Sequence, residues 1–195
     1  MRLEAAVDSR EMQMLIKNKP FQRLAWFLVL VLGLTACTGI PEGAEPVKGF
    51  SLDQYLGTWY EVARMDHKFE RGLSNVTAEY SLRDDGGVRV LNRGFNEAKG
   101  EWDEAEGKAY FVDDMTTGQL KVSFFGPFYA SYNVIALDKD KYQWSLVAGP
   151  DTDYLWILSR EPELDQAIVD DLLSRAKNLG FKTDELIYVS QAQVQ

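Results

Sequence analysis

From about residue 57 onward the chain alternates apolar and polar side chains in short runs broken by turn residues, the period of strands with one buried face. The runs predict strands over 57–64, 75–82, 88–96, 108–112, 119–124, 131–138, 142–148 and 154–159. Asp84-Asp85-Gly86-Gly87 and Asp138-Lys139-Asp140-Lys141 supply tight hairpin turns between them. Residues 65–74 are too many for a tight turn and predict a loop lying over one end of the strands. Only one stretch changes period: after Glu161-Pro162, residues Ile168, Val169, Leu172, Leu173, Ala176 and Leu179 share a helical face, and Gly180 offers a C-terminal cap. A short ninth strand follows at 186–189. Eight strands in series predict an all-β fold, an eight-stranded antiparallel up-and-down β-barrel with one C-terminal α-helix packed outside it.

Strict alternation then assigns the interior. Taking Trp59 as inward puts Glu61 and Ala63 inside as well, followed by Val76, Ala78 and Tyr80, then Val88, Val90 and Asn92. Leu120, Val122, Phe124, Tyr132, Val134, Ala136, Tyr154, Trp156 and Leu158 complete the lining. The lining is largely apolar, and its alanines leave room where a filled barrel needs bulk. Two readings follow: a cavity for a hydrophobic small molecule with its polar head near the 65–74 loop and Tyr129, or a filled core. Trp144 and Leu146 face outward by the same parity, an apolar pair that offers a homodimer contact.

The N-terminal segment has a different pattern. Lys17, Lys19 and Arg23 precede an apolar run over 24–34 that ends in Leu34-Thr35-Ala36-Cys37. A basic flank, a short apolar core and small residues before a cleavage point make a secretory signal, too short to span a bilayer. Met14 offers a second start. Leu-Thr-Ala-Cys resembles a bacterial lipobox, which implies cleavage before Cys37 and lipid attachment to it, and Thr38 in place of Asp implies the outer membrane. Several acyl chains on one residue anchor far more firmly than one. The chain therefore divides into a signal peptide over 1–36, a lipidated Pro/Gly-rich tether over 37–48 and a barrel domain over 49–195. Losing the leader removes five basic and three acidic residues, so the formal charge of −9 becomes −11. Such a charge excludes nucleic acid as a partner. Cys37 is the only cysteine, so no disulfide staples the domain and packing must hold it.

Three segments carry a family resemblance. Gly57-Thr58-Trp59 opens the first strand, Thr152-Asp153-Tyr154 follows Gly149-Pro150-Asp151, and Arg160 closes the eighth strand. Together, over roughly 52–191, they resemble the lipocalin signature, and with the lipobox they resemble its bacterial outer-membrane lipoprotein branch, a pattern shared with apolipoprotein D. The resemblance implies that Trp59 plugs the closed end of the barrel, that Arg160 stacks across it, and that the Thr152-Asp153-Tyr154 turn lies beside that end. It also implies a fatty acid or lysophospholipid as ligand, and a chain anchored in the outer membrane on its periplasmic face.

Catalysis finds no support. His67, the sole histidine, falls in the 65–74 loop and reads as solvated, with no thiol and no Gly-x-Ser-x-Gly elbow to serve. Glu61 is the one inward carboxylate, expected to find a donor at the closed end. Asp138 and Asp140 lack the glycine and distal glutamate of a calcium loop. No cofactor or metal is expected.

Overall fold

The computed structural model describes residues 39–192. The signal segment, Cys37 and Thr38 lie outside them. Short helix α1 (Leu52–Tyr55) leads into eight antiparallel strands: β1 (Gly57–Arg64), β2 (Leu73–Leu82), β3 (Val88–Asn96), β4 (Glu101–Phe111), β5 (Gln119–Ser123), β6 (Ala130–Leu137), β7 (Trp144–Ala148) and β8 (Leu155–Ser159). They hydrogen-bond in sequence order, and β1 closes the barrel by pairing with both β8 and β2. Helix α2 (Gln166–Asn178) follows, and β9 (Ile187–Tyr188) pairs with Ala63 and Arg64 on the edge of β1 beyond the reach of β2. The barrel, its outer helix and the ninth strand are as the sequence predicts. Helix α2 starts at Gln166 rather than at Pro162, because the Asp165 side chain accepts from the Ala167 amide and caps it.

β4 begins seven residues before its expected start. Residues 101–107 are too acidic to read as a strand, yet they pair with β3 through Arg89–Glu106 at 2.7 Å and Arg93–Glu104 at 2.6 Å, and Arg93 stacks over Trp102. Cross-strand pairs on the outer face supply what propensity lacks.

Two separate apolar layers result. The inner one contains Phe50, Tyr55, Trp59, Tyr80, Val88, Val90, Leu120, Val134, Val147 and Leu158. The outer one lies between α2 and the wall of β6, β7, β8 and β1, where Leu172 and Ala176 of the helix meet Ala63, Ala136, Leu146 and Ile157. Leu146 and Trp144 do face outward, but this helix layer buries Leu146 completely and Trp144 in part, so they are not the open apolar pair that alternation suggested.

Bulges interrupt β1, β2 and β6, and those on β1 and β6 decide which of the assigned side chains reach the inside. Register shifts between Glu61 and Ala63 on β1, and between Val134 and Ala136 on β6, put two consecutive residues on the outer face. Ala63 and Ala136, assigned inward by alternation, therefore lie in the outer layer. Beyond each bulge the parity is inverted. Arg64 now pairs with inward Trp156, and Leu137 joins the inner layer.

Candidate ligand-binding site

Connections in an up-and-down barrel alternate between its ends. One end is closed. There Arg160 stacks 3.9 Å above the Trp59 ring and donates to the carbonyls of Gln54, Leu56, Thr58 and Tyr142, while the Trp59 indole donates to Tyr55 O at 2.8 Å. Gly57, at φ +92, lets the chain turn into β1 beneath the guanidinium. Asp138 anchors the β6–β7 turn there by accepting from the amides of Asp140, Lys141 and Gln143.

Above the plug lies a floor of hydroxyls. Tyr132 Oη is 2.8 Å from both Tyr55 Oη and Tyr80 Oη, and Tyr55 Oη is 3.1 Å from Ser145 Oγ. Burial pushes the Tyr55 phenol up to about 12 and raises Tyr80 and Tyr132 well above the ordinary value, so all three remain neutral donors.

The opposite end is formed by the β1–β2, β3–β4, β5–β6 and β7–β8 connections. Here the 65–73 loop folds inward. His67 is only 8 % exposed, so it is not the solvated residue its loop position suggested. Its ring lies 5.2 Å from Trp156 and 6.1 Å from Tyr154, and Nε2 is 3.0 Å from Glu70 Oε2. Trp156 Nε1 donates to the same oxygen at 3.1 Å. Arg64, fully buried, donates to Glu61 Oε1 at 2.7 Å and to Glu70 O at 2.6 Å. Glu61 thus finds its donor on the mouth side, not at the closed end.

The two carboxyls respond oppositely to this cluster. Burial and the neighbouring Glu70 push Glu61 well above the usual carboxylate range, against the pull of Arg64. Burial acts on Glu70 in the same direction, but the contact with His67 and the bond from Trp156 hold it below its ordinary value. Glu70 therefore keeps its charge more readily than Glu61. Among the described residues, Arg64 Nε and both ring nitrogens of His67 lack a well-formed hydrogen bond; Nε2 lies against Glu70, which leaves Arg64 Nε and His67 Nδ1 for a polar group to meet.

Between floor and mouth the interior is not sealed. Ala78, Val122, Phe124, Tyr132 and Trp156 face the inner layer yet remain only partly buried, whereas Trp59, Val134 and Val147 below them are inaccessible. Tyr80, Val90 and Val134 are buried in the inner layer, and Val76 is buried beside Gly94. Two assigned residues fall elsewhere. Tyr129 lies on the outer face, 6.4 Å from the Tyr110 ring and under Lys121 Nζ at 5.5 Å, because Lys121 alternates outward between Leu120 and Val122. Ala63 is beneath the helix.

The turn of Thr152, Asp153 and Tyr154 belongs to the β7–β8 connection and so lies at the mouth, not beside the closed end. Tyr154 stacks on Trp156 at 6.3 Å and packs closely on Gly149, where an added Cβ would come within 2.5 Å of Tyr154 Cβ. Alternation missed Arg64, because residues 61 and 64 of a regular strand point to opposite faces and only the bulge unites them. Glu70 and His67 were missed because a loop has no parity to read.

The lipocalin-like domain family matches residues 50–191. The chain is 58 % identical over 168 residues to outer membrane lipoprotein Blc of Vibrio cholerae, covering 86 % of this chain and 98 % of that one. It is 55 % identical to the Escherichia coli protein of that name over 151 residues, covering 77 % and 85 %. Apolipoprotein D of Macaca fascicularis is 32 % identical, covering 76 % and 86 %. Among solved structures, insecticyanin from the tobacco hornworm Manduca sexta shares the fold, with a TM-score of 0.64 at 23 % identity over 80 % of this chain and 88 % of that one.

Proposed function

The chain belongs to the lipocalin family, whose barrels bind hydrophobic small molecules, and from that membership we propose an outer-membrane lipoprotein, anchored through Cys37 on the periplasmic face, that stores or transports a fatty acid or lysophospholipid. The observation that carries this reading is the partial exposure of inward-facing Ala78, Val122, Phe124, Tyr132 and Trp156 above a sealed closed end. An apolar compartment capped by polar groups suits an amphipathic molecule: hydrocarbon along the wall, head group against Arg64, His67 and Glu70. No role in catalysis is assigned to the cluster. Titrating the mature protein with a fluorescent long-chain fatty acid and with a lysophospholipid tests the reading. Saturable uptake is expected, and Val122→Trp, which fills the space, should abolish it. No saturable uptake in the wild type, or equal affinity in both proteins, overturns the cavity reading in favour of a filled structural barrel.

A further inference from the structure

The barrel mouth bears three phenylalanines that the interior does not use. Phe69 of the β1–β2 loop is 74 % exposed, and Phe125 and Phe128 of the β5–β6 loop are each 73 % exposed. Both loops belong to the same end. Residues 124–130 include no charged side chain, so nothing in that loop resists entry into an apolar phase. Leu82, the last residue of β2, and Met115, in the β4–β5 connection, are exposed at the closed end as single apolar side chains, which is ordinary for a surface.

The N-terminal tether reaches that end as well. Residues 39–48 do not hang free: Pro41 and Ala44 are buried, Val47 N donates to Val134 O at 2.8 Å, and Lys48 bridges to Thr117 near the closed end. At the other extreme, Gly39 O accepts from Asn133 Nδ2 at 3.2 Å, and Gly39 packs against Pro150 of the β7–β8 connection. The described chain thus ends at the mouth. Cys37 is two residues further, a reach of about 7 Å at full extension. A lipid on Cys37 would therefore have its attachment point within that reach of Gly39, at the end of the barrel that bears Phe69, Phe125 and Phe128.

We propose that the open end of the barrel docks on the bilayer that holds the anchor, with Phe69, Phe125 and Phe128 inserted at the boundary between head groups and acyl chains. The proposal rests on lipidation of Cys37, and it adds an orientation. The mouth is turned to the membrane, so a hydrocarbon passes between bilayer and cavity without crossing water. The occupant is a lipid surface of low charge: the mature chain is acidic and is not drawn to anionic head groups, so insertion is apolar.

The test uses the full lipidated chain reconstituted in vesicles of phosphatidylethanolamine and phosphatidylcholine, some with acyl chains brominated near the head group. Phe128→Trp reports on the mouth and Met115→Trp on the opposite end. With brominated lipid the extra emission of Phe128→Trp should shift to the blue and be quenched, while that of Met115→Trp is unchanged. A preparation that fails to float with the vesicles overturns the anchor and this orientation with it. One that floats but leaves Phe128→Trp unquenched overturns the docking alone. A blue shift without lipid that grows with protein concentration would show a second copy of the chain covering the mouth, which also overturns it.

Discussion

Trp156 Nε1 and Glu70 Oε2 are 3.1 Å apart, so one hydrogen bond ties the floor-to-mouth wall of the barrel to the loop that folds over it. A side chain of the inner layer is therefore also a latch on the barrel's mouth.

Trp156→Phe keeps the ring and removes the donor. Glu70 would remain buried with one partner fewer, at a cost of about 1.5–3 kcal/mol for a bond to a charged acceptor. Denaturant unfolding should show that loss, and amide exchange should accelerate in 65–73 more than in β2 or β3. Unchanged exchange in the loop would mean that His67 and Arg64 hold it unaided.

Glu61 and Glu70 predict opposite pH dependences. The folded-state pKa of Glu61 is raised, so this residue costs nothing below its ordinary value of 4.5 and removes stability as pH rises through the folded value. Glu70, held low, adds stability above 4.5 that disappears as pH falls through its folded value. Glu61→Gln cancels only the first effect. Variant and wild type should converge in acid, and the variant should gain relative to wild type as pH rises; urea midpoints at a series of pH values measure this. A constant difference at all pH values would show that Glu61 titrates normally.

The bulge on β1 gives a paired test. Ala63→Leu overpacks the layer beneath α2 and should cost about 1–3 kcal/mol while leaving ligand capacity intact. Ala78→Phe should do the reverse, sparing the melting temperature and lowering ligand uptake. Loss of uptake in Ala63→Leu with normal stability would place residue 63 inside.

At the closed end, Trp59→Ala should lose about 3–5 kcal/mol, the usual cost of truncating a buried aromatic. Arg160→Ala should lose less: about 0.5–2 kcal/mol for the cation–π contact, since the four carbonyls it releases are near enough to the surface to meet water. Chemical denaturation ranks the two. An Arg160 variant weaker than the Trp59 variant would make the guanidinium, not the indole, the main closure.

What could be read in advance divides along physical lines. Strands such as Gly57–Arg64 and Val88–Asn96 were legible because one face is buried and the other wet, and the turn at Asp84 to Gly87 has residues that little else explains. The Trp59–Arg160 pairing was legible only through family resemblance, since 101 positions of sequence separate the two. Alternation failed at 63 and 136 because a bulge adds one residue without any compositional mark. It failed again at His67 and Glu70, where burial depends on a loop folding back onto Trp156 rather than on any local period. The charged part of the mouth was therefore hidden, while its apolar wall was visible.

Helix α2 also divides the barrel into two unlike halves as a scaffold. Along β6, β7, β8 and β1 both surfaces of the sheet are packed, Val134 and Val147 inside and Ala136, Leu146, Ile157 and Ala63 outside, and Leu155-Trp156-Ile157-Leu158 reads as an unbroken apolar run. Along β2 to β5 only the inner surface is packed, and the outer one displays pairs such as Arg89–Glu106 in water. Libraries of surface substitutions should be tolerated on the second half and rejected on the first, so new recognition surfaces are best grafted onto the outer positions of β3 and β4.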